Sequence, residues 1–181
     1  MKIKTTIVIL LVLFTASMAS GQKFKAKVAP DFTLKDINGN NVTLSESYGE
    51  GPIYISFWAT WCKPCKEELK IMGPIYKKYK DQGFRIFAIN TEGPKAMGKI
   101  KSFAKSSGWN FDILIDPDGE VFRRKYKGFA MPFTVMTDNT GKVIFSVVGF
   151  KPGDEAHIEE LILQQLAESS EDTEDKSETE E

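Results

Sequence analysis

Short apolar runs, typical of buried strands, alternate along the chain with segments whose apolar residues have helical spacing. The strands are predicted at 53–58, 85–90, 111–115, 133–136 and 143–148, and the helices at 62–80, 94–107, 120–126 and 154–167. An alternating segment at 31–44 turns at Asn38-Gly39, which is a hairpin signal. This order predicts an α/β fold with one mixed central sheet, parallel at first and antiparallel at its end, flanked by helices.

The two ends of the chain differ in composition from its body. Residues 1–21 contain two lysines, an apolar run at 7–14 and then small residues, which is the pattern of a signal peptide. The apolar run is shorter than the roughly 20 residues of a membrane span, so cleavage is expected, with retention as a membrane anchor as the alternative. Residues 169–181 contain no apolar residue and are predicted to be a disordered acidic tail. The folded domain is therefore predicted at 24–167.

Length and charge limit the classes of protein that fit. A chain of 181 residues with 41% hydrophobic content can bury one sizeable core. The net charge of −1 hides an asymmetry, because residues 22–167 carry 21 basic against 17 acidic residues, whereas 168–181 carry one against eight. No dense basic run with interleaved aromatic residues occurs, so a nucleic-acid partner is not expected. A monomer is expected.

The only two cysteines form the tetrad Cys62-Lys63-Pro64-Cys65, between a predicted strand and a predicted helix. A thiol at the first turn of a helix meets unpaired backbone N–H groups and the positive end of the helix dipole. Both favour the thiolate, so Cys62 is predicted to be a nucleophile, and Cys65 is close enough to form a disulfide with it. A purely structural disulfide is the alternative, but a bridge that closes so short a loop adds little stability.

Other chemistries of a C-x-x-C pair fit the sequence poorly. A c-type haem site needs a histidine where Lys66 stands. A zinc site needs about four ligands, and the only histidine, His157, lies on a distant predicted helix. Copper delivery would also need a nearby histidine, and a peroxiredoxin-type peroxidase would need a threonine two residues before the place of Thr60. No metal or cofactor is therefore expected beyond the Cys62–Cys65 couple.

The segment Trp58-Ala59-Thr60-Trp61-Cys62-Lys63-Pro64-Cys65 resembles the active-site signature of the thioredoxin superfamily. The signal peptide, the start at Ala29-Pro30-Asp31-Phe32, the extra helix at 94–107 and the hairpin at 138–142 are similar to the TlpA/ResA-like exported branch. The resemblance covers roughly residues 24–167. It implies a thioredoxin-like fold with an N-terminal hairpin and an inserted helix, and the activity of an exported thiol-disulfide oxidoreductase.

The resemblance also implies roles for individual residues. Cys62 matches the nucleophile that attacks a substrate disulfide, and Cys65 matches the cysteine that resolves the mixed disulfide. Trp61 matches the surface aromatic residue beside the nucleophile, with core packing as the alternative. Pro132 matches the cis-proline that faces the cysteines, which leaves the backbone of Met131 free to pair with an extended substrate.

The chain departs from thioredoxins in the residues around the tetrad. Ser56 stands where thioredoxins have a buried aspartate, and Glu68, one helical turn after Cys65, matches a glutamate that ResA-like proteins place beside their cysteines. Glu68 is expected to accept the Cys65 proton, with an ordinary solvated helix carboxylate as the alternative. Phe133 follows the proline where many relatives have a threonine, so the shape of the substrate groove is not expected to match theirs. Lys63 and Pro64 are expected to tune the redox couple, the lysine by favouring the thiolate.

The expected function is reduction of protein disulfides in the periplasm or cell envelope of a bacterium, with electrons from a membrane-bound donor. Candidate substrates are apocytochrome c thiols during cytochrome c maturation, misoxidised envelope proteins in redox homeostasis, or another redox carrier. The alternatives are a thioredoxin-like binding module without turnover and a copper-delivery protein. The sequence does not determine which of these substrates is the physiological one.

Overall fold

The structure, a computed structural model, describes Phe24 and residues 26–178. The predicted signal peptide at 1–21 and the last three residues of the predicted tail lie outside the described residues. The strands are β1 Thr33–Asp36, β2 Asn41–Thr43, β3 Ile53–Trp58, β4 Arg85–Asn90, β5 Asp112–Ile115, β6 Phe133–Thr137 and β7 Val143–Val148. The α-helices are α1 Lys63–Tyr79, α2 Met97–Ser106 and α3 Asp154–Glu178, and a π-helix spans Glu120–Lys125. No helix within the described part of the chain is long and apolar enough to cross a membrane.

The seven strands form one sheet in the order β2-β1-β5-β4-β3-β6-β7. Strands β3, β4 and β5 are parallel to one another, whereas β6 runs antiparallel to β3 and β7 antiparallel to β6. The β1–β2 hairpin joins the opposite edge through an antiparallel pairing with β5. This arrangement confirms the predicted mixed sheet, parallel in its first part and antiparallel at its end.

Strand β3 is completely buried because elements cover both faces of the sheet, and this is why it has no polar face in the sequence. Tyr54 and Trp58 point into the core cluster that contains the buried residues of α1, α2 and α3. Ile55 and Phe57 point into the opposite cluster, which contains the π-helix residue Phe122. The alternation of side chains along the strand therefore links the two halves of the core.

Helix α1 continues through Pro74 to Tyr79, which confirms one helix over the predicted range 62–80. A later helix differs in form from the prediction. The helix predicted at 120–126 is the short π-helix, whose first turn is held by the Asp116 carboxylate. That carboxylate accepts backbone hydrogen bonds from Val121 at 3.2 Å and from Phe122 at 2.9 Å.

The last helix is longer than predicted. Helix α3 passes the predicted end at Ala167 and runs to Glu178, so residues 169–178 are helical where disorder is expected. The segment contains no glycine or proline that would end a helix, and glutamate and lysine extend one at little cost. The buried positions of α3 with described side chains, Ile158, Ile162 and Gln165, all precede residue 169.

Removal of residues 169–181 should therefore change the free energy of unfolding by less than about 0.5 kcal/mol, as surface changes generally do. Chemical denaturation of the truncated and full chains measures this difference. The matched control is Ile162→Ala, which empties a fully buried site and should cost about 2–4 kcal/mol. A loss from truncation as large as that from Ile162→Ala would show that the end of α3 is part of the folded core.

Candidate active site

The two cysteines lie at the start of α1, where they form a disulfide with a Cα–Cα distance of 5.4 Å. Cys62 is the N-cap residue, and its Sγ accepts a hydrogen bond of 3.3 Å from the backbone N–H of Cys65. Pro64 lies in the first turn, where its missing N–H leaves no helical hydrogen bond unmade. After reduction, the same N–H group and the helix dipole favour a thiolate at Cys62.

The two sulphur-bearing residues differ in exposure. Cys62 is 5% exposed, and Cys65 is completely buried behind it. Trp61, just before Cys62, is 66% exposed, so this indole lies on the surface beside the nucleophile and does not pack in the core. Of the two cysteines, only Cys62 therefore has surface that a substrate can reach, which suits the order of attack implied by the resemblance.

The peptide bond between Met131 and Pro132 is cis, as expected. Pro132 directly precedes β6, and the register pairs Phe133 with Phe57 near the end of β3. Because β3 leads into the cysteine loop, the cis-proline lies at the same end of the sheet as that loop. Met131 packs against the core cluster that contains both cysteines.

Glu68 is buried, with only 1% of its surface exposed. Its carboxylate accepts hydrogen bonds of 2.6 Å from the Tyr54 hydroxyl, 3.0 Å from the Ser56 hydroxyl and 2.6 Å from the Thr134 hydroxyl. The alternative reading, an ordinary solvated helix carboxylate, is therefore wrong for Glu68. Ser56, which stands where thioredoxins have an aspartate, is one of the three donors to the Glu68 carboxylate.

Burial raises the pKa of the Glu68 carboxyl, and the hydrogen bonds from Thr134, Tyr54 and Ser56 offset part of that effect. Burial, followed by the charge of Glu68, raises the pKa of Tyr54 well above its ordinary value. Tyr54 thus stays neutral and remains a hydrogen-bond donor. A buried carboxylate with a raised pKa, one helical turn from Cys65, is suited to exchange a proton with a thiol.

Lys63 lies at the surface between the cysteines, with 85% of its side chain exposed. Its ammonium is 3.9 Å from Glu67, whose side chain is also largely exposed. Ion pairs as exposed as this one are weak, because water and salt screen them. The influence of Lys63 on the Cys62 thiolate is therefore modest.

Glu92 is a residue near the site that sequence reasoning missed. Its carboxylate accepts hydrogen bonds from the backbone N–H and the hydroxyl of Thr60, two residues before Cys62. The neighbouring Thr91 hydroxyl is 3.7 Å from the Met131 sulphur, so the segment after β4 contacts both the cysteine loop and the cis-proline loop. Polar residues directly after a buried parallel strand were the signal that could have indicated it.

The model of the AhpC/TSA family matches residues 26–146. The thiol-disulfide oxidoreductase ResA of Bacillus subtilis is 39% identical over 121 residues, which are 67% of this chain and just under two thirds (65%) of that protein. The ResA protein of Geobacillus kaustophilus is 37% identical over 135 residues, 74% of this chain and 75% of that protein.

Solved structures give the same picture. A Chlorobium tepidum crystal structure assigned as a thiol:disulfide interchange protein DsbE has a TM-score of 0.69 and 35% identity, and the match covers 83% of this chain and 99% of the other. A thioredoxin-like protein from Porphyromonas gingivalis has a TM-score of 0.65 and 30% identity, with 79% and 95% coverage. These neighbours confirm the thioredoxin-like fold.

The raised pKa of Glu68 predicts how stability changes with pH. The folded state binds the Glu68 proton more tightly than the unfolded state does. The stability that this proton contributes is therefore complete below pH 4.5, the ordinary pKa, and is lost as the pH rises through the pKa of the folded state. Glu68→Gln cannot titrate and escapes this loss. Its free energy of unfolding relative to the parent protein should therefore increase with pH in denaturant titrations from pH 4 to 8. A difference that is constant with pH would contradict the raised pKa.

Proposed function

Since the chain belongs to the AhpC/TSA family and has the active site of a thiol-disulfide oxidoreductase, we propose that it reduces disulfides of exported proteins. The observation that carries this proposal is the asymmetry of the cysteine pair. Cys62, the N-cap of α1, keeps a small exposed surface, whereas Cys65 is completely buried, and Glu68, one helical turn further along α1, is buried as well. This asymmetry supports different roles for the two cysteines, with Cys62 meeting the substrate and Cys65 completing the reaction internally.

In the first step the Cys62 thiolate attacks one sulphur of the substrate disulfide. A bond forms between Cys62 and that sulphur, the substrate disulfide breaks, and the other substrate sulphur leaves as a thiolate that takes up a proton from water. The first turn of α1 stabilises the attacking thiolate through the backbone N–H of Cys65. The cis-Pro132 loop leaves the Met131 backbone free to pair with the extended substrate segment.

In the second step Cys65 attacks the Cys62 sulphur of the mixed disulfide. Glu68 takes the Cys65 proton, the Cys62–Cys65 bond forms, and the substrate sulphur leaves as a thiolate. The substrate has gained two electrons and the enzyme has lost them. The bond formed in this step is the Cys62–Cys65 disulfide that the structure contains. A dithiol donor must then reduce the enzyme again, and for an exported protein we infer a membrane-bound donor.

The N-terminal segment and the relatives support a proposal for the location and for the client proteins. The signal-peptide pattern of residues 1–21 supports export to the periplasm or cell envelope, with or without retention of that segment as an anchor. The similarity to proteins named thiol-disulfide oxidoreductase ResA and thiol:disulfide interchange protein DsbE supports protein disulfides as the substrates. Among such substrates we propose those of cytochrome c maturation, where thiols must be reduced before haem attachment. Repair of misoxidised envelope proteins is the broader alternative.

Reduction of insulin disulfides by dithiothreitol should be accelerated by the protein, and Cys62→Ser should abolish the acceleration, because no thiolate remains at the rim. Cys65→Ser keeps the nucleophile but cannot resolve the intermediate, so it should accumulate a mixed disulfide with its client, identifiable by mass. Turnover that survives Cys62→Ser would reject the assignment of the nucleophile. Stable complexes formed without any turnover would favour a binding module.

Glu68→Gln preserves the size of the side chain but removes the proton acceptor. It should slow substrate reduction roughly 10²-fold, the low end for general acid–base catalysis, and shift the thiol titration of the reduced protein. Glu67→Gln is the matched control, since Glu67 is exposed on the neighbouring face of the same helix turn. Equally small effects of the two variants would show that a group other than Glu68 accepts the Cys65 proton.

A further inference from the structure

A cleft between α1 and α2 opens beside the tetrad. Its α1 wall begins at Lys63, the residue after Cys62, and continues for two helical turns. The cleft is lined by Lys63, Lys66, Glu67, Lys70, Phe103, Ser106 and Ser107. We refer to these seven residues as the lysine cleft. Because Lys63 follows Cys62 directly, the cleft adjoins the residue at which a mixed disulfide would form.

The lysine cleft is positively charged. Its three lysines are opposed by one acidic residue, Glu67, which lies 3.9 Å from Lys63. Helix α2 and the turn before it (residues 94–106) contain four more exposed lysines and no acidic residue. Of these, Lys99 is one turn from Phe103 on the same face of α2, so the positive charge continues along the second wall.

Within the cleft, Lys66 of α1 contacts the ring of Phe103 on α2. The Lys66 ammonium lies 5.3 Å from the centre of the Phe103 ring, within range of a cation–π contact. Lys66 is half-buried, and no acidic side chain within the described residues forms a salt bridge with it or with Lys70. Two ammonium groups therefore face the cleft without a carboxylate partner from this chain.

We propose that the lysine cleft binds an acidic segment of the protein partner that exchanges its disulfide with Cys62. This inference rests on the proposed function. Unpaired ammonium groups in a concave surface attract carboxylates, raise the rate of encounter and orient the partner, and all three effects weaken with salt. The position of the cleft, from Lys63 onward, would direct the partner's cysteines toward the rim of the tetrad.

The test uses the full chain, reduced, and two synthetic peptides with one intramolecular disulfide each. The peptides have the same sequence, except that four flanking positions are glutamate in one and glutamine in the other. At low ionic strength the glutamate peptide should react about tenfold faster, a modest value for electrostatic steering, and the advantage should shrink as salt is added. Stopped-flow measurement of the exchange rate follows both reactions.

Lys66→Gln with Lys70→Gln should abolish this preference. The matched control, Lys77→Gln with Lys101→Gln, removes the same charge from exposed positions outside the cleft and should preserve it. All variants should react alike with uncharged 2-hydroxyethyl disulfide, which tests the exchange chemistry alone. If the unaltered protein does not react with this reagent, the proposed function itself is rejected. If it reacts but shows no preference between the peptides, only the role of the lysine cleft is rejected.

Four results would overturn the proposal. Equal rates for the two peptides, or equal losses in both double variants, would show that the cleft does not select acidic partners. A preference that emerges only after removal of residues 169–181 would identify the chain's own acidic end as the occupant. Binding to phosphatidylglycerol vesicles that depends on Lys66 and Lys70, without any peptide preference, would instead assign the cleft to an anionic membrane.

Discussion

A single carboxylate on α1 is held inside the protein by hydroxyl groups from two strands. Glu68 receives hydrogen bonds from Tyr54 and Ser56 on β3 and from Thr134 on β6. This contact fixes the rotation of α1 over the sheet, so that Cys65 faces the core and Cys62 lies at the rim. It also joins the helix of the cysteines to β6, the strand that follows the cis-proline Pro132, so hydrogen bonds link the two halves of the site.

The burial of Glu68 has opposite effects on stability and on proton transfer. Burying a carboxylate is unfavourable, and here burial raises its pKa even though three hydroxyls donate to it. A carboxyl with a raised pKa is a better proton acceptor for a thiol, because the difference in pKa between the two groups is smaller. Tyr54, whose own pKa is raised well above its ordinary value, remains a neutral donor throughout. The buried carboxylate therefore lowers stability at neutral pH, but its raised pKa is closer to that of a thiol, which suits proton exchange with Cys65.

The position of β3 and the location of the site could be predicted from short segments of the sequence. The bounds of β3 at 53–58 follow from the apolar run, since a strand buried on both faces contains few polar residues, and the tetrad together with Pro132 indicated the site. The burial of Glu68 could not be predicted with certainty, because the adjacent Glu67 is chemically identical and exposed. What separates them is the position of hydroxyls far away in sequence, such as Thr134. The polar composition of residues 169–178 predicts disorder, but no glycine or proline there ends a helix, and α3 continues through the segment.

Titration of the Glu68 carboxyl by carbon-13 NMR, in the oxidised and in the reduced protein, tests this account most directly. In the oxidised protein the signal should titrate with a midpoint above the ordinary value of 4.5. In the reduced protein it should show a second step at the pH where a thiol titrates, because the carboxyl and Cys65 would share their protons as a coupled pair. A midpoint near the ordinary value in both states, without a step at the thiol titration, would contradict the central role of Glu68.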